Sequence, residues 1–493
     1  MEVVLAGFNI DSETIRTAGK QVATDTILTP ETISAAYARI SRNPLPVTEL
    51  RKIARQAVDA ARQSNERIVF DMGHSSIAEH AVFNLDILGV SRLTIEEIEK
   101  FRLASYTEKS QRYIRLDGDF IVPKEITDAG VRDRFTATIA AQNALYHRLY
   151  KKLRDYVFEC NRDMARDSHN HRMLEGWAKE DARYIVSLAT ESQLGMTVNA
   201  RNLELMIRRA ASHPLQEVNE YGARLFEAVH HIAPSLIKYT EPTAYEKETK
   251  KNVGKFVHQY LASQKHMPPA GEPHEEAADV RLIDATPAGD NAVLAAIMHS
   301  ATTMPHTECA AIVSAMTKED KTALLREMLR HMTEHDAAPR EFEAAECCFE
   351  IVLSATCFAQ MKRHRMATIL SQDYNPALGV TVPPAIQDVG MEDEFRSAIA
   401  RTEETYERIR ASAPAAAPYI LTNAHRKRIL LTANARELYH ISRLREDRHA
   451  QWDIRDRAAH MIELARRVMP LTLCLACGKD RFTDYHQSIL HTP

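Results

Sequence analysis

One stretch of the chain occurs twice. Ala81 to Arg102 (AVFNLDILGVSRLTIEEIEKFR) matches Ala344 to Arg365 (AAECCFEIVLSATCFAQMKRHR) in length, in early alternation of apolar and polar residues, and in a later shift to helical spacing. Each copy therefore reads as a strand running into a helix. Further on, Asn199-Ala200-Arg201 recurs as Asn434-Ala435-Arg436, each triplet followed at the same distance by a glutamine, Gln216 or Gln451. Short strands are expected at Glu2 to Ala6 and again at Asp279 to Ile283, opening the two halves alike. A duplication restricts the chain to folds in which one unit can be built twice.

Tyr239 to Ala278 separates the copies, with Pro242, a lysine-rich run (Lys247, Lys250, Lys251, Lys255), Pro268-Pro269 and Gly271-Glu272-Pro273. Proline and charge mark it as a linker. The expected organisation is a first unit over 1–240, a linker over 241–278 and a second unit over 279–493. Long amphipathic stretches, Arg132 to Tyr156, Ala200 to His231 and Glu392 to Ala411, surround the strands. The expected class is α+β, each copy helix-rich around a small sheet.

Composition narrows the function. With 63 basic against 67 acidic residues and a formal charge of −4, the chain is too balanced for a dedicated nucleic-acid binder, and 45% apolar content is too high for disorder. No run of about 18 apolar residues occurs, so no membrane span is expected. The early acids Glu2, Asp11, Glu13 and Asp25 do not read as a secretory leader, and a cytoplasmic protein is expected. Seven cysteines without a regular framework fit reduced thiols.

Three sites invite a chemical reading. Lys362-Arg363-His364-Arg365 closes the second strand-helix unit, and Gln360 lies one turn before Arg363, placing an amide and a guanidinium on one face. Taken alone, such a run is a solvated helix end. The first copy has Glu97, Lys100, Phe101 and Arg102 there, but continues into Ser105 to Tyr113, where Glu108, Lys109, Ser110, Gln111 and Arg112 read equally as a phosphate cradle in a loop or as a polar turn. The second copy has Asp373 and Asn375 for Ser110 and Arg112. Arg183 precedes Asn199, whereas Pro418 takes its place before Asn434; His440 and Arg445 follow Asn434, whereas Leu205 and Ala210 follow Asn199. The losses alternate between the copies.

These residues together resemble the flavin-dependent thymidylate synthases, the ThyX family. Its signature, Arg-His-Arg followed by seven residues and a serine, is split here between Arg363-His364-Arg365 and Ser110. A Gly-His before a Glu-His corresponds to Gly73-His74 and Glu79-His80, and an Asn-Ala-Arg leading to an Ala-Gln-Trp-Glu-Ile-Arg-like stretch corresponds to Asn434-Ala435-Arg436 and Ala450 to Arg455. The resemblance implies tandem ThyX units in one chain, assembling as a homodimer that forms a pseudo-tetramer. It also implies reductive methylation of dUMP to dTMP, with methylenetetrahydrofolate as carbon donor, reduced FAD as hydride carrier and NADPH as reductant. The implied substrate site joins Gln360, Arg363 and Arg445 of the second copy to Glu108, Lys109, Ser110, Gln111, Arg112 and Arg183 of the first, with Arg445 beside the uracil imide as the catalytic group. FAD would touch His74, Ser76, Glu108, Arg363, His364, Arg365, Asn434, Arg436 and His440. One complete composite site per pair of halves follows. Two other readings are a flavin- and nucleotide-binding pseudoenzyme or regulatory subunit without turnover, and a structural partner for a separate synthase.

Cys474 and Cys477, with His486 and His491 beyond them, have the residue types of a zinc site but a short spacing, and no metal is expected. Cys347-Cys348 falls on the alternating segment and reads as core packing.

Overall fold

A computed structural model describes residues 1–18, 28–116, 118–263 and 279–490. In chain order the first half contributes β1 (Glu2–Phe8), β2 (Val82–Ser91), α1 (Arg92–Ile98), β3 (Ala104–Glu108), α2 (Ala129–Cys160), β4 (Glu191–Asn199), α3 (Ala200–Ala210) and α4 (Gln216–Val229). Helix α5 (Ala244–Ser263) follows. The second half supplies β5 (Val280–Ala285), β6 (Glu346–Ser354), α6 (Ala355–Met361), β7 (Thr368–Ser371), α7 (Glu392–Ser412), β8 (Arg426–Asn434), α8 (Ala435–Arg445) and α9 (Trp452–Val468).

Each half forms a four-stranded antiparallel sheet, in the orders β1-β2-β4-β3 and β5-β6-β8-β7. Identical order is what a duplication requires, and the α+β class holds in both. Along β6, Cys347, Phe349, Ile351 and Leu353 point inward; along β8, Ile429, Leu431 and Ala433 meet them. Phe83, Leu85 and Ile87 do the same in β2. Period-2 burial is the expected result of one sheet face carrying a core.

The central strand ends alike in both halves. Ser91 caps α1, its Oγ accepting from Thr94 N at 3.1 Å, and Ser354 caps α6 by accepting from Cys357 N at 3.0 Å. Each cap is tied to a buried carboxylate at the start of a later helix. Ser91 donates through N and Oγ to Glu217, both at 2.7 Å, and Ser354 Oγ donates to Asp453 at 2.6 Å. Asn199 and Asn434 repeat the device, capping α3 and α8 by accepting from Asn202 N and Glu437 N, both at 2.9 Å.

The ungapped sequence match hides one difference. Gly89, at φ +65°, makes a bulge in β2, so Ser91 and Ser354 hold equivalent places while the strand starts differ by one residue: Asn199 pairs with Val82, and Asn434 with Glu346. Before the bulge the correspondence moves one place, and Glu79 becomes the counterpart of Glu343. Each then pairs with the arginine of its Asn-Ala-Arg, Arg201 at 2.5 Å and Arg436 at 2.9 Å.

The chain divides into two compact units: Met1–Ala270 with Asp393–Leu421, and Gly271–Glu392 with Thr422–Pro493. A stretch of the second half is thus built into the first unit. There Gln142 of α2 donates to Thr402 at 2.8 Å and to the Ile420 carbonyl at 3.1 Å, and Tyr419 donates to Glu217 at 2.7 Å. Within the lysine-rich stretch read as a linker lies α5, a helix without a buried side chain. The Pro268-Pro269 and Gly271 to Pro273 part of that linker lies outside the described residues, as does Asp25.

Ala200 to His231, read as one amphipathic stretch, is two helices, because Pro214 supplies no N–H and ends the first. Among the described residues no helix is long and apolar enough to cross a membrane.

Helix α3 meets α4 closely: a Cβ on Gly222 would lie 2.6 Å from the Ala210 Cβ. Gly254 in α5, by contrast, faces open space. Gly222→Ala should cost about 1–3 kcal/mol through overpacking. Gly254→Ala should stabilise by up to about 1 kcal/mol through helix propensity. Urea denaturation midpoints that move the same way in both variants would contradict this packing.

Candidate functional site

In the first unit an arginine cluster forms at the end of β3. The stretch from Ser105 is not all loop, since Ala104–Glu108 pairs with β4; only the residues after Glu108 turn. Lys109 N extends the ladder to the Gln193 carbonyl at 2.9 Å, and the Ser110 hydroxyl accepts from Arg112 N at 3.2 Å, tightening the turn. Gln111 is buried behind it, while the Lys109 side chain is exposed.

Arg112 meets the Glu180 carboxylate through Nε and Nη2, and Arg183 Nε donates to the Glu180 carbonyl at 3.3 Å. Arg92, the first residue of α1, donates to Glu108 at 2.7 Å, with both side chains buried. Burial pushes the Arg183 guanidinium down from its ordinary value; Glu180 opposes this, and the nearby charges of Arg112 and Arg92 add to it. Three guanidinium groups thus share one region with two carboxylates, an arrangement suited to an oxyanion. Arg92 and Glu180 carry no motif, and the sequence reading missed both. His74 follows Gly73 (φ +74°); His74 and Ser76 are exposed on the short turn that precedes β2.

In the second unit the Arg-His-Arg follows the end of α6, alternately out and in. Arg363 and Arg365 carry exposed side chains, whereas His364 is 2% exposed. Arg445, at the end of α8, donates from Nε to His364 Nε2 at 2.8 Å and from Nη2 to the Gln360 carbonyl at 3.0 Å. An arginine has no acceptor to offer, so His364 Nε2 carries the lone pair and the proton sits on Nδ1. That atom lies 3.3 Å from Glu437 Oε1 without hydrogen-bond alignment. Burial, reinforced by Arg445 and His440, holds the His364 pKa well below its usual 6.5. Burial also raises the Glu437 carboxyl, against the pull of His440 and Arg436.

Three buried polar atoms here have no hydrogen-bond partner: Gln360 Nε2, His364 Nδ1 and Glu437 Oε1. Buried polar atoms are rarely left so, and a cluster of them beside Arg445 is a place where a ligand could complete the bonding.

Beside this cluster opens a cleft of about 480 Å³, lined by Asn434, Arg436, Glu437, Tyr439, His440 and Arg443 among others. Three expected flavin contacts, Asn434, Arg436 and His440, are therefore together. Arg436 is fixed by the Ala338 carbonyl at 2.8 Å and by Glu343, and the His440 ring stands 5.5 Å from that of His364. Amide, guanidinium and imidazole groups over an apolar wall that includes Met366 and Leu444 suit a planar heteroaromatic with imide edges, so the donor set fits a flavin.

The family of thymidylate synthase complementing proteins matches residues 24–235 and 281–471. The chain belongs to this family. Its two stretches of match fall one in each half, as the duplication requires. Among relatives, the UPF0159 protein Ta1429 of Thermoplasma acidophilum is 26% identical over 88% of this chain and 93% of its own length. A flavin-dependent thymidylate synthase of Clostridium tetani is 29% identical over 43% of this chain and 83% of its own. A solved Helicobacter pylori ThyX, complexed with FAD and dUMP, is 18% identical, covering 49% of this chain and all of its own, with a TM-score of 0.30.

In this family member one position that differs between the copies is filled by packing in the first. Ala210, where the second copy has Arg445, is buried against Gly222. The cysteines are quiet: burial pushes the thiol of Cys347 to about 12 and those of Cys474 and Cys477 to about 11, and raises that of Cys357 well above its ordinary value. His486 Nε2 lies 3.3 Å from the Leu329 carbonyl, and His491 lies outside the described residues. Among the described residues no group of three or more His, Cys, Asp or Glu is arranged to hold a metal.

Neutral His364 makes stability depend on pH. The unfolded chain takes up a proton near pH 6.5 that the folded one resists. The unfolded state is therefore favoured as pH falls below that value, by up to about 1.4 kcal/mol per unit. His364→Gln should flatten the stability profile between about pH 6.5 and 5 by that slope. Parallel profiles for the two proteins would show that His364 protonates freely in the fold.

Proposed function

We propose that the protein is a flavin-dependent thymidylate synthase: it methylates dUMP to dTMP, taking the carbon from methylenetetrahydrofolate and using reduced FAD, which NADPH regenerates. The observation that carries this reading is the set of unsatisfied buried atoms around Arg445, next to a cleft whose donors suit a flavin. Membership of the family and the similarity to the Clostridium tetani synthase support it.

Each residue has a task. Ser110, Arg112 and Arg183 take the nucleotide phosphate, with Lys109 and Gln111 shaping the turn and Glu108, held by Arg92, beside both ligands. Gln360, Arg363 and Arg445 take the pyrimidine. Asn434, Arg436 and His440 hold the flavin, with His364 and Arg365 near it and His74 and Ser76 as further contacts. Two tandem chains would assemble as a pseudo-tetramer.

When bound, the flavin supplies hydride chemistry. Arg445 contributes a charge that cannot be lost as a proton, which stabilises an ionised uracil imide without donating to it. His364 keeps Arg445 in place by accepting its Nε–H while remaining neutral, so that it adds no competing charge. No cysteine is needed as nucleophile, and the raised thiols of Cys347, Cys357, Cys474 and Cys477 agree with that.

Purified protein should carry or take up FAD, and dUMP with methylenetetrahydrofolate should oxidise the reduced flavin and yield dTMP. Arg445→Ala should lower dTMP formation at least about a hundredfold while FAD stays bound, the retained flavin serving as the control for folding. Unchanged turnover in that variant would remove the mechanism. FAD retention without any dUMP-dependent oxidation in the native protein would favour the pseudoenzyme instead.

A further inference from the structure

The duplication provides an internal comparison for one residue. Counting from Asn199 and Asn434, Arg208 of α3 and Arg443 of α8 hold the same position. In the first unit Arg208 already has an anion: its Nε donates to Glu246 of α5 at 3.0 Å. That carboxylate also accepts from the N–H and hydroxyl of Thr243 at 3.0 and 3.3 Å. Although burial opposes it, these donors hold the Glu246 carboxyl below its ordinary value. The place is filled by the chain itself.

In the second unit Arg443 has no such carboxylate. Its Nη1 donates to the Asp336 carbonyl, its plane lies 5.5 Å from the Phe482 ring, and its buried Nη2 has no hydrogen-bond partner. It lines the 480 Å³ cleft, and so does Lys479, an exposed lysine whose ammonium makes no hydrogen bond or ion pair among the described residues.

We propose that Arg443 and Lys479 form the anion-binding end of this cleft and take the diphosphate of FAD, the place that Glu246 fills in the first unit. This rests on the flavin reading, but adds residues that no motif marks. A guanidinium fixed by a carbonyl and an aromatic ring, with its Nη2 unpartnered, pairs with a diphosphate oxygen at little entropic cost. The neighbouring ammonium adds a movable second charge.

The test compares ligands with and without the diphosphate. FAD and riboflavin should be titrated by fluorescence into the apoprotein and into Arg443→Gln and Lys479→Glu variants, with NADPH as a third ligand. Lys479 is exposed and unpartnered, so its variant keeps the test valid if Arg443→Gln folds poorly. The expected result is a Kd for FAD at least tenfold weaker in both variants, with riboflavin affinity within twofold of the native value. Equal FAD affinity in native and variant proteins would overturn the subsite while leaving the flavin reading intact. A loss confined to NADPH would give the cations to the reductant and overturn the assignment to FAD. Failure of the native protein to bind either flavin would overturn both readings.

Discussion

Both units depend on one junction, where the central strand stops at a serine that caps the next helix and is itself held by a buried carboxylate. A cap of this kind stabilises by about 1 kcal/mol, and hydrogen bonds to a charged group by about 1.5–3 kcal/mol. Ser91 with Glu217 and Ser354 with Asp453 therefore fix where each helix starts and which way it runs. Everything proposed to be functional is measured from there. Arg92 is the first residue after one junction, Gln360 and His364 lie at the far end of the helix launched by the other, and the asparagine caps of α3 and α8 set the positions of Arg208, Arg443 and Arg445.

The two halves share these junctions and differ around them. The first kept a converging set of arginines and acids and closed its other position with Ala210 packed on Gly222 and Glu246 paired with Arg208. The second kept the cleft and the neutral His364 under Arg445, and lost the arginines of the turn and of Pro418's position. In the first copy, packing takes the place of Arg445 at Ala210, and a carboxylate of the chain itself pairs with Arg208.

The repeat, the strand-to-helix units and the Asn-Ala-Arg helix starts were legible in the sequence because period and caps are local signals. So was the company of Asn434, Arg436 and His440, since spacing along one helix fixes their shared face. Other features depend on partners distant in sequence. Glu180 and Arg92 are ordinary charged residues until the fold brings them to Arg112, Arg183 and Glu108. Gly89 looks like any glycine, yet its bulge shifts the correspondence between copies by one residue. The period of Glu392–Ser412 announces a buried face but cannot say which core receives it, and that helix belongs to the first unit. Arg443 became informative only beside Arg208.

The central claim is that one chain holds one flavin site, because the second unit opens a cleft beside Arg443 whereas the matching Arg208 of the first unit is paired with Glu246. Saturating the purified apoprotein with FAD and counting bound flavin per chain tests it most directly. The account predicts one FAD per chain. Two per chain would mean that the first copy kept a working site despite Glu246 and Ala210, and none would mean that the cleft serves another purpose.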